Sequence, residues 1–290
     1  MKRILLTSVA GVALLAAGAI SASAADLYRK APPVVAPPPP PPPAFSWTGC
    51  YTGVHTGWGW GEKKFRDARR DQYFIDTSSS VRESKLDTSG PLFGGQLGCD
   101  YQFGFGKGAG LGNWVIGIQG SIAGADINGH DIDGVDTFRG EKADGSMSLH
   151  AKTDFLADLT GRLGFSWWST SLLYVKGGVA WDHTRYLALG SAFPSFEFGE
   201  THAFAARETR TGAVFGVGWE WAFAPNWSAF VEWDHYWFGT KDVTFNNGAV
   251  FGSPTALVSV KQDLDTVKVG INYRFNWLFG KGKAPVVARY

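Results

Sequence analysis

A chain of 290 residues with a formal charge of +1 and only 18% charged residues has no basic excess, which removes nucleic acid from the expected partners. Its 38 glycines and 15% aromatic content suit a β-rich chain, and the length leaves room for a single domain of moderate size.

Lys2 and Arg3 precede an apolar run from Ile4 to Ile20, and Ala22-Ser23-Ala24 supplies small residues for cleavage. This reads as an export signal over residues 1–24, with a mature chain that starts near Ala25 and carries a charge of about −1. No later segment has the roughly 18 consecutive apolar residues that a spanning helix needs. Entry into a membrane would therefore require a closed barrel, the other structure that satisfies its own backbone in lipid. Residues 25–45 form a linker with Pro32, Pro33 and an unbroken run from Pro37 to Pro43. Polyproline II from Ala31 to Ala44 gives about 40 Å of stiff reach. It reads as a spacer, or as a dock for a periplasmic or cell-wall partner.

From Trp47 onward the pattern has period two. The clearest stretch is Leu149 to Ser166, where Leu149, Ala151, Thr153, Phe155, Leu159, Leu163 and Phe165 alternate with Lys152, Asp154, Asp158 and Arg162. About eight segments behave this way: Trp47–Gly61, Pro91–Phe103, Trp114–Gly124, Leu149–Ser166, Leu172–Asp182, Thr211–Phe223, Trp227–Phe238 and Thr266–Phe275. In each, Trp, Phe, Tyr and aliphatic residues share one face, and glycines and ionisable groups share the other. The expected fold is all-β, an eight-stranded antiparallel up-and-down transmembrane β-barrel over residues 46–275, greasy outside and polar within. A tail, 276–290, follows in the periplasm.

Long polar connections are expected after the first, third, fifth and seventh strands, and short ones after the second, fourth and sixth. This places the long loops outside the cell and both termini in the periplasm of a Gram-negative outer membrane. Two interfacial belts follow. Trp114, Trp221, Trp227, Tyr273 and Phe275 lie at the short-turn end, and Trp58, Trp60, Trp181 and Trp237 at the long-loop end.

The inward face should hold a charge network of Lys152, Asp154, Asp158, Arg162, Lys176, Asp182, Glu220, Glu232, Asp234, Lys268 and Arg274, with Asp100 beside it. Eight strands leave an interior just wide enough for side chains, and unpaired buried ions are costly. These groups form either a plug or a narrow gated pore.

Several segments also resemble a known family. Trp47-Thr48-Gly49 with Tyr51 and Gly53, Thr160-Gly161-Arg162-Leu163-Gly164, Pro225-Asn226-Trp227-Ser228 and the closing Lys268-Val269-Gly270-Ile271-Asn272-Tyr273-Arg274-Phe275 are similar to the small outer-membrane barrels of alphaproteobacteria, the opacity-like or RopB-like porin family. The resemblance implies an eight-stranded barrel, insertion by the outer-membrane assembly machinery, and a surface or envelope-integrity role among outer-membrane lipids and lipopolysaccharide. Two features depart from that pattern: the tail beyond Phe275, and Cys50 and Cys99 where aromatics usually stand.

Cys50 and Cys99 fall near the periplasmic ends of neighbouring antiparallel strands, both outward. A register that sets them opposite would allow a disulfide; a slip of two residues leaves two small lipid-facing hydrophobes. His150, His183, His202 and His235 lie near the extracellular ends without a nucleophile motif, so an enzyme is not expected. Asp126 to Asp136 resembles a calcium loop in composition but misses its spacing, and no metal or cofactor is expected. Gly104 to Gly108 lacks the Ser or Thr of a phosphate loop and reads as a turn. The leading expectation is an envelope-stabilising, surface-displaying barrel. A small channel and an adhesin acting on a host surface through Lys63–Ser89 or Thr184–Arg207 are the alternatives.

Overall fold

A computed structural model describes residues 45–68, 83–104, 113–133, 137–138, 141–142, 147–190, 202–247 and 255–275. The chain divides into Met1–Pro42 and Pro43–Tyr290; the expected signal, most of the linker, and the tail lie outside the described residues, as does the Gly104–Gly108 turn beyond Gly104.

Eight long strands close into one ring. They are β1 (Gly49–Asp67), β2 (Glu83–Gly104), β3 (Asn113–Asp133), β6 (Met147–Trp168), β7 (Ser171–Gly190), β8 (His202–Ala224), β9 (Trp227–Asn247) and β10 (Thr255–Phe275). A two-stranded ladder, β4 (Thr137–Phe138) with β5 (Glu141–Lys142), sits between β3 and β6. Every neighbour in the ring is antiparallel, and β1 pairs with β10 from Cys50↔Phe275 to Asp67↔Val258. Closure removes both sheet edges, so every strand finds two partners for its backbone. No helix among the described residues is long and apolar enough to span a membrane.

Over the lower half of the ring the outer wall is greasy. Phe93, Leu97, Ile118 and Ile122 are each more than three-fifths exposed, an arrangement suited to lipid and not to water. On β1 this wall runs from Cys50 to Trp60, about the ten residues that a tilted strand needs to cross a bilayer. Its rims are aromatic. Trp114, Trp221, Trp227 and Tyr273 face outward at the lower end, with Trp227 against Tyr273 at 5.1 Å between centroids, and Phe275 is half-buried beside them. Trp58, Trp60 and Trp237 face outward at the upper end, and Trp181 is half-buried there.

The strands continue well past the upper rim, and there the faces exchange character. On β10, Val267, Val269, Ile271 and Tyr273 point outward and Lys268, Asn272 and Arg274 inward, whereas above them Val258, Val260 and Leu264 are buried inside and Lys261 is exposed outside. Phe65, Leu86, Leu149, Ala151, Tyr186, Ala188, Phe204, Ala206, Val243, Phe245, Val258 and Val260 form one buried cluster inside this upper collar. Below the rim the molecule is an inside-out barrel; above it, the same strands make a barrel suited to water.

Much of what was expected to be long loop is therefore strand. Lys63–Ser89 and Thr184–Arg207, read as contact loops, place Lys63, Phe65, Leu86, Thr184, Tyr186, Ala188, Phe204 and Ala206 inside the collar. Register irregularities fit the collar to the wall. Between Thr153 and Phe155 the β6–β7 register shifts, and β3–β6 shifts between Gly124 and Ile127. Residues Asp154 and Phe155 consequently share the outer side, and the alternation of β6 reverses there. Leu149, Ala151 and Thr153, expected on the greasy outer face, are buried inside. At Gly239 the backbone is left-handed, with φ +65°, beside a shift between Gln262 and Asp263; glycine adopts that conformation without steric cost.

Candidate functional site

The candidate site is the lumen, and β7 lists its contents from bottom to top: Leu172, Tyr174, Lys176, Ala180, Asp182, Thr184, Tyr186 and Ala188 are all buried. Apolar and polar tiers alternate along it.

At the periplasmic mouth Trp47 packs with Val115, Leu172, Tyr174 and Ala222. Arg274 lies 5.2 Å from the Trp47 ring centroid, donates to the Trp47 carbonyl at 2.6 Å and meets Asp100 Oδ2 at 3.0 Å. One step up, Arg162 is the hub. Its Nη2 donates to Glu220 Oε2 at 2.7 Å, its Nη1 to the Tyr51 hydroxyl at 2.9 Å, and its Nε stands 3.4 Å from Asp100 Oδ1. The guanidinium is sandwiched between the rings of Tyr174, at 4.2 Å, and Tyr51, at 5.3 Å. Those two tyrosines need glycine opposite them: a Cβ on Gly98 would lie 2.4 Å from the Tyr51 ring, and one on Gly218 would lie 2.3 Å from the Tyr174 ring. Glu220 also accepts from Ser228 at 2.6 Å and from Asn272 at 3.0 Å, and Asn272 in turn accepts from Gln96 at 2.8 Å.

The next tier sets two ammonium groups among three carboxylates. Lys176 Nζ lies 2.8 Å from Glu232, 3.1 Å from Asp234 and 3.7 Å from Asp158. Lys268 Nζ lies 2.5 Å from Asp234, 3.1 Å from Glu232 and 4.0 Å from Asp158. Above them Ile127, Leu156, Ala180, Val214, Tyr236, Phe238 and Leu264 form an apolar plate. A second polar tier follows. Lys63 donates to Thr153 at 3.0 Å, Thr184 at 3.2 Å and Gln262 at 2.9 Å. Asp182 accepts from Thr184 at 2.7 Å and Gln262 at 2.9 Å, and Arg210 donates to the Val260 carbonyl at 2.8 Å. The collar cluster closes the top.

Among the described residues the lumen holds six buried cations (Lys63, Arg162, Lys176, Arg210, Lys268, Arg274) and six buried carboxylates (Asp100, Asp158, Asp182, Glu220, Glu232, Asp234). The ion pairs join Arg162, Lys176, Lys268 and Arg274 to five of the acids, and Lys63, Arg210 and Asp182 are held by hydrogen bonds to neutral groups. Equal counts leave the interior without net charge, which lowers the cost of burying these ions.

Nine of the eleven residues expected in the network are in the lumen. Lys152 and Asp154 are not: the β6 irregularity turns them to the outer face of the collar, where Lys152 pairs with Asp126 at 2.5 Å and Asp154 with Arg185 at 2.7 Å. Hydrogen bonds from Lys152 and Asn128 hold the exposed Asp126 carboxyl below its usual range. Lys63 and Arg210 were missed because their segments read as loop or strand margin. The visible signal was continued alternation around them, with Phe65 and Val214 in step with each.

The cysteines stand directly opposite, Cys50↔Cys99, with Cα atoms 3.9 Å apart and a disulfide between them. Tryptic maps of purified protein should show a linked Cys50–Cys99 peptide pair that separates on reduction; two free thiols in folded protein would contradict the pairing. His183 meets Thr209 at 3.0 Å, His235 meets Asp265 at 2.8 Å, and His150 stacks on His130.

Comparison with known proteins agrees with this architecture. The family model described as "Outer membrane protein beta-barrel domain" matches residues 12–275. The 31 kDa outer-membrane immunogenic proteins of Brucella melitensis biotype 1 and Brucella suis biovar 1 are each 27% identical over 276 residues, covering 95% of this chain and 100% of theirs. Among solved structures, the outer membrane protein OprG of Pseudomonas aeruginosa is 12% identical with a TM-score of 0.43, covering 80% of this chain and 99% of its own. The attachment invasion locus protein Ail of Yersinia pestis is 15% identical with a TM-score of 0.28, covering 79% and 99%. A closed ring of eight antiparallel strands with a lipid-suited outer wall, matched over nearly its whole length by that family model, is a protein of the outer membrane: the chain belongs to the outer-membrane β-barrel family.

Proposed function

We propose that this protein is a sealed, non-enzymatic barrel that reinforces the outer membrane and presents its collar and loops to the surroundings. The observation that carries this reading is the tiered lumen. A continuous polar path would need the apolar plate around Phe238 and Leu264 and the collar cluster around Phe245 and Tyr186 to part, and both are buried side-chain clusters. The ion pairs below the plate act as bolts across the ring, tying β2, β6, β7, β8, β9 and β10 together through side chains as well as through the sheet.

The Brucella relatives are named as immunogenic proteins, which fits a protein with a surface-presented outer end. Its partners would be the assembly machinery during insertion, then outer-membrane lipid and lipopolysaccharide.

Planar-bilayer recording tests the seal. Protein with intact heat-modifiable gel mobility should give no stepwise conductance, and reproducible channel events from such a sample would replace the sealed reading with the channel one. Loss of the gene should raise sensitivity to detergents.

A further inference from the structure

Above the upper belt the outer face of the collar is charged, but the charges are arranged differently around the ring. On β3, β6 and β7 opposite charges meet: Asp126 with Lys152 at 2.5 Å and Asp154 with Arg185 at 2.7 Å. Between β8 and β9 Glu208 meets Lys241. On β2, β1 and β10 like meets like. Lys85, Lys64 and Lys261 stand directly opposite one another across three neighbouring strands, and Thr240 of β9 extends the row. Arg66 is two residues farther out, at a register position between Ser259 of β10 and Glu83 of β2, so the like-charge row is confined to the three lysines.

The carboxylates of this side occupy the next row towards the lipid. Glu62 is opposite both Asp87 and Asp263; Glu62 meets Lys64 at 2.9 Å and Asp263 meets Lys261 at 3.4 Å. Acids thus face the membrane side, and amines lie about 6.6 Å farther along the strands. Like charges directly opposite destabilise a sheet, and exposed pairs along one strand return little. Three adjacent amines are an arrangement that an external anion would stabilise.

A recess is present where that anion would sit. Lys64, Arg66, Thr240, Ser259 and Lys261 line about 220 Å³ on the outer face. Asp242 accepts the Ser259 hydroxyl, which leaves Thr240 as the more available hydroxyl donor. The row lies four residues beyond Trp60, ~13 Å along a tilted strand from the belt, at the height of headgroups rather than acyl chains. The geometry points to a binding site for the clustered phosphates of an outer-leaflet glycolipid, made by Lys64, Lys85 and Lys261, with Arg66 and Thr240 in the recess. It rests on the outer-membrane location and the collar, not on the sealed lumen, so a conducting barrel would leave it standing.

The test uses full-length protein folded in detergent free of glycolipid and titrated with purified phosphorylated lipopolysaccharide. The variant K64Q/K85Q/K261Q should bind about tenfold more weakly, with a shallower salt dependence. K152Q/R185Q, on the opposite side, should bind like the parent. Phosphatase-treated lipopolysaccharide should bind the parent as weakly as the intact glycolipid binds the triple variant, and inorganic phosphate at matched phosphate concentration should not displace the intact glycolipid. Heat-modifiable mobility checks folding, and Lys85→Gln alone, expected to weaken binding in the same direction, serves if the triple variant folds poorly. Equal binding by a folded row variant, equal loss in the K152Q/R185Q control, or displacement by inorganic phosphate would each overturn the assignment, the last in favour of a free-anion site.

Discussion

Arg162→Met is expected to destabilise the barrel by about 3–5 kcal/mol, because it leaves two buried carboxylates, Asp100 and Glu220, to share the single cation Arg274. Glu220 would lose its 2.7 Å partner and keep Ser228, Asn272 and the more distant Arg274 at 3.6 Å. Asp100 would retain only Arg274, at 3.0 Å. The Tyr51 hydroxyl, which accepts from Arg162 and donates to Gln119 at 2.7 Å, would lose half of its bonding. Lys152→Met is the comparison, since both residues were expected on one polar face of the same strand. Lys152 is half-exposed and pairs with an exposed Asp126, so its loss should cost about 0.5 kcal/mol or less. Urea or thermal titration of heat-modifiable mobility, run in the same lipid, checks both. Equal shifts for the two variants would mean that the lumen network does not hold the barrel together.

That contrast marks how far the sequence could be read. Ring size, strand order, the outward tryptophans and nine of the eleven lumen charges follow from period-two alternation, because the lipid-facing wall forces every second side chain to be apolar. Alternation says nothing about which side is outward once the surroundings change from lipid to water. On β10, Val258, Val260 and Leu264 alternate as regularly as Val267, Val269 and Ile271, yet the two sets face opposite ways. The segment holding the first set therefore reads as polar loop when lipid contact is the only template in mind. Lys63 is lost for the same reason, as its strand has by then passed the upper belt. The reversal at Asp154 and Phe155 is a different failure. An extra residue on one strand shifts the register without a glycine or proline to mark it, and only the partner strand shows that two residues now share a side.

Phe245→Ala is expected to cost about 3–5 kcal/mol, and to lose it in the collar rather than in the membrane-spanning wall. Phe245 is fully buried on β9 and lies 6.0 Å from Tyr186 between ring centroids. Its cluster is drawn from β1, β2, β6, β7, β8, β9 and β10 above the upper belt. Water surrounds this part of the ring, so its stability depends on apolar burial inside, as in a soluble barrel. The wall below has no such dependence: its outer face meets lipid whatever the collar does, and its interior is tied by the Arg162, Lys176 and Lys268 pairs. A cavity in the collar should therefore open that zone locally. Protease added from outside should cut embedded Phe245→Ala protein in the collar strands much faster than the parent. Heat-modifiable mobility of the uncut protein should change little, and conductance should stay absent because the plate of Ile127, Leu156, Phe238 and Leu264 still spans the lumen. A global stability loss as large as that of Arg162→Met, without selective cleavage, would instead make collar and wall a single cooperative unit. The exchange of faces along each strand would then be a change of surroundings, not a boundary in the fold.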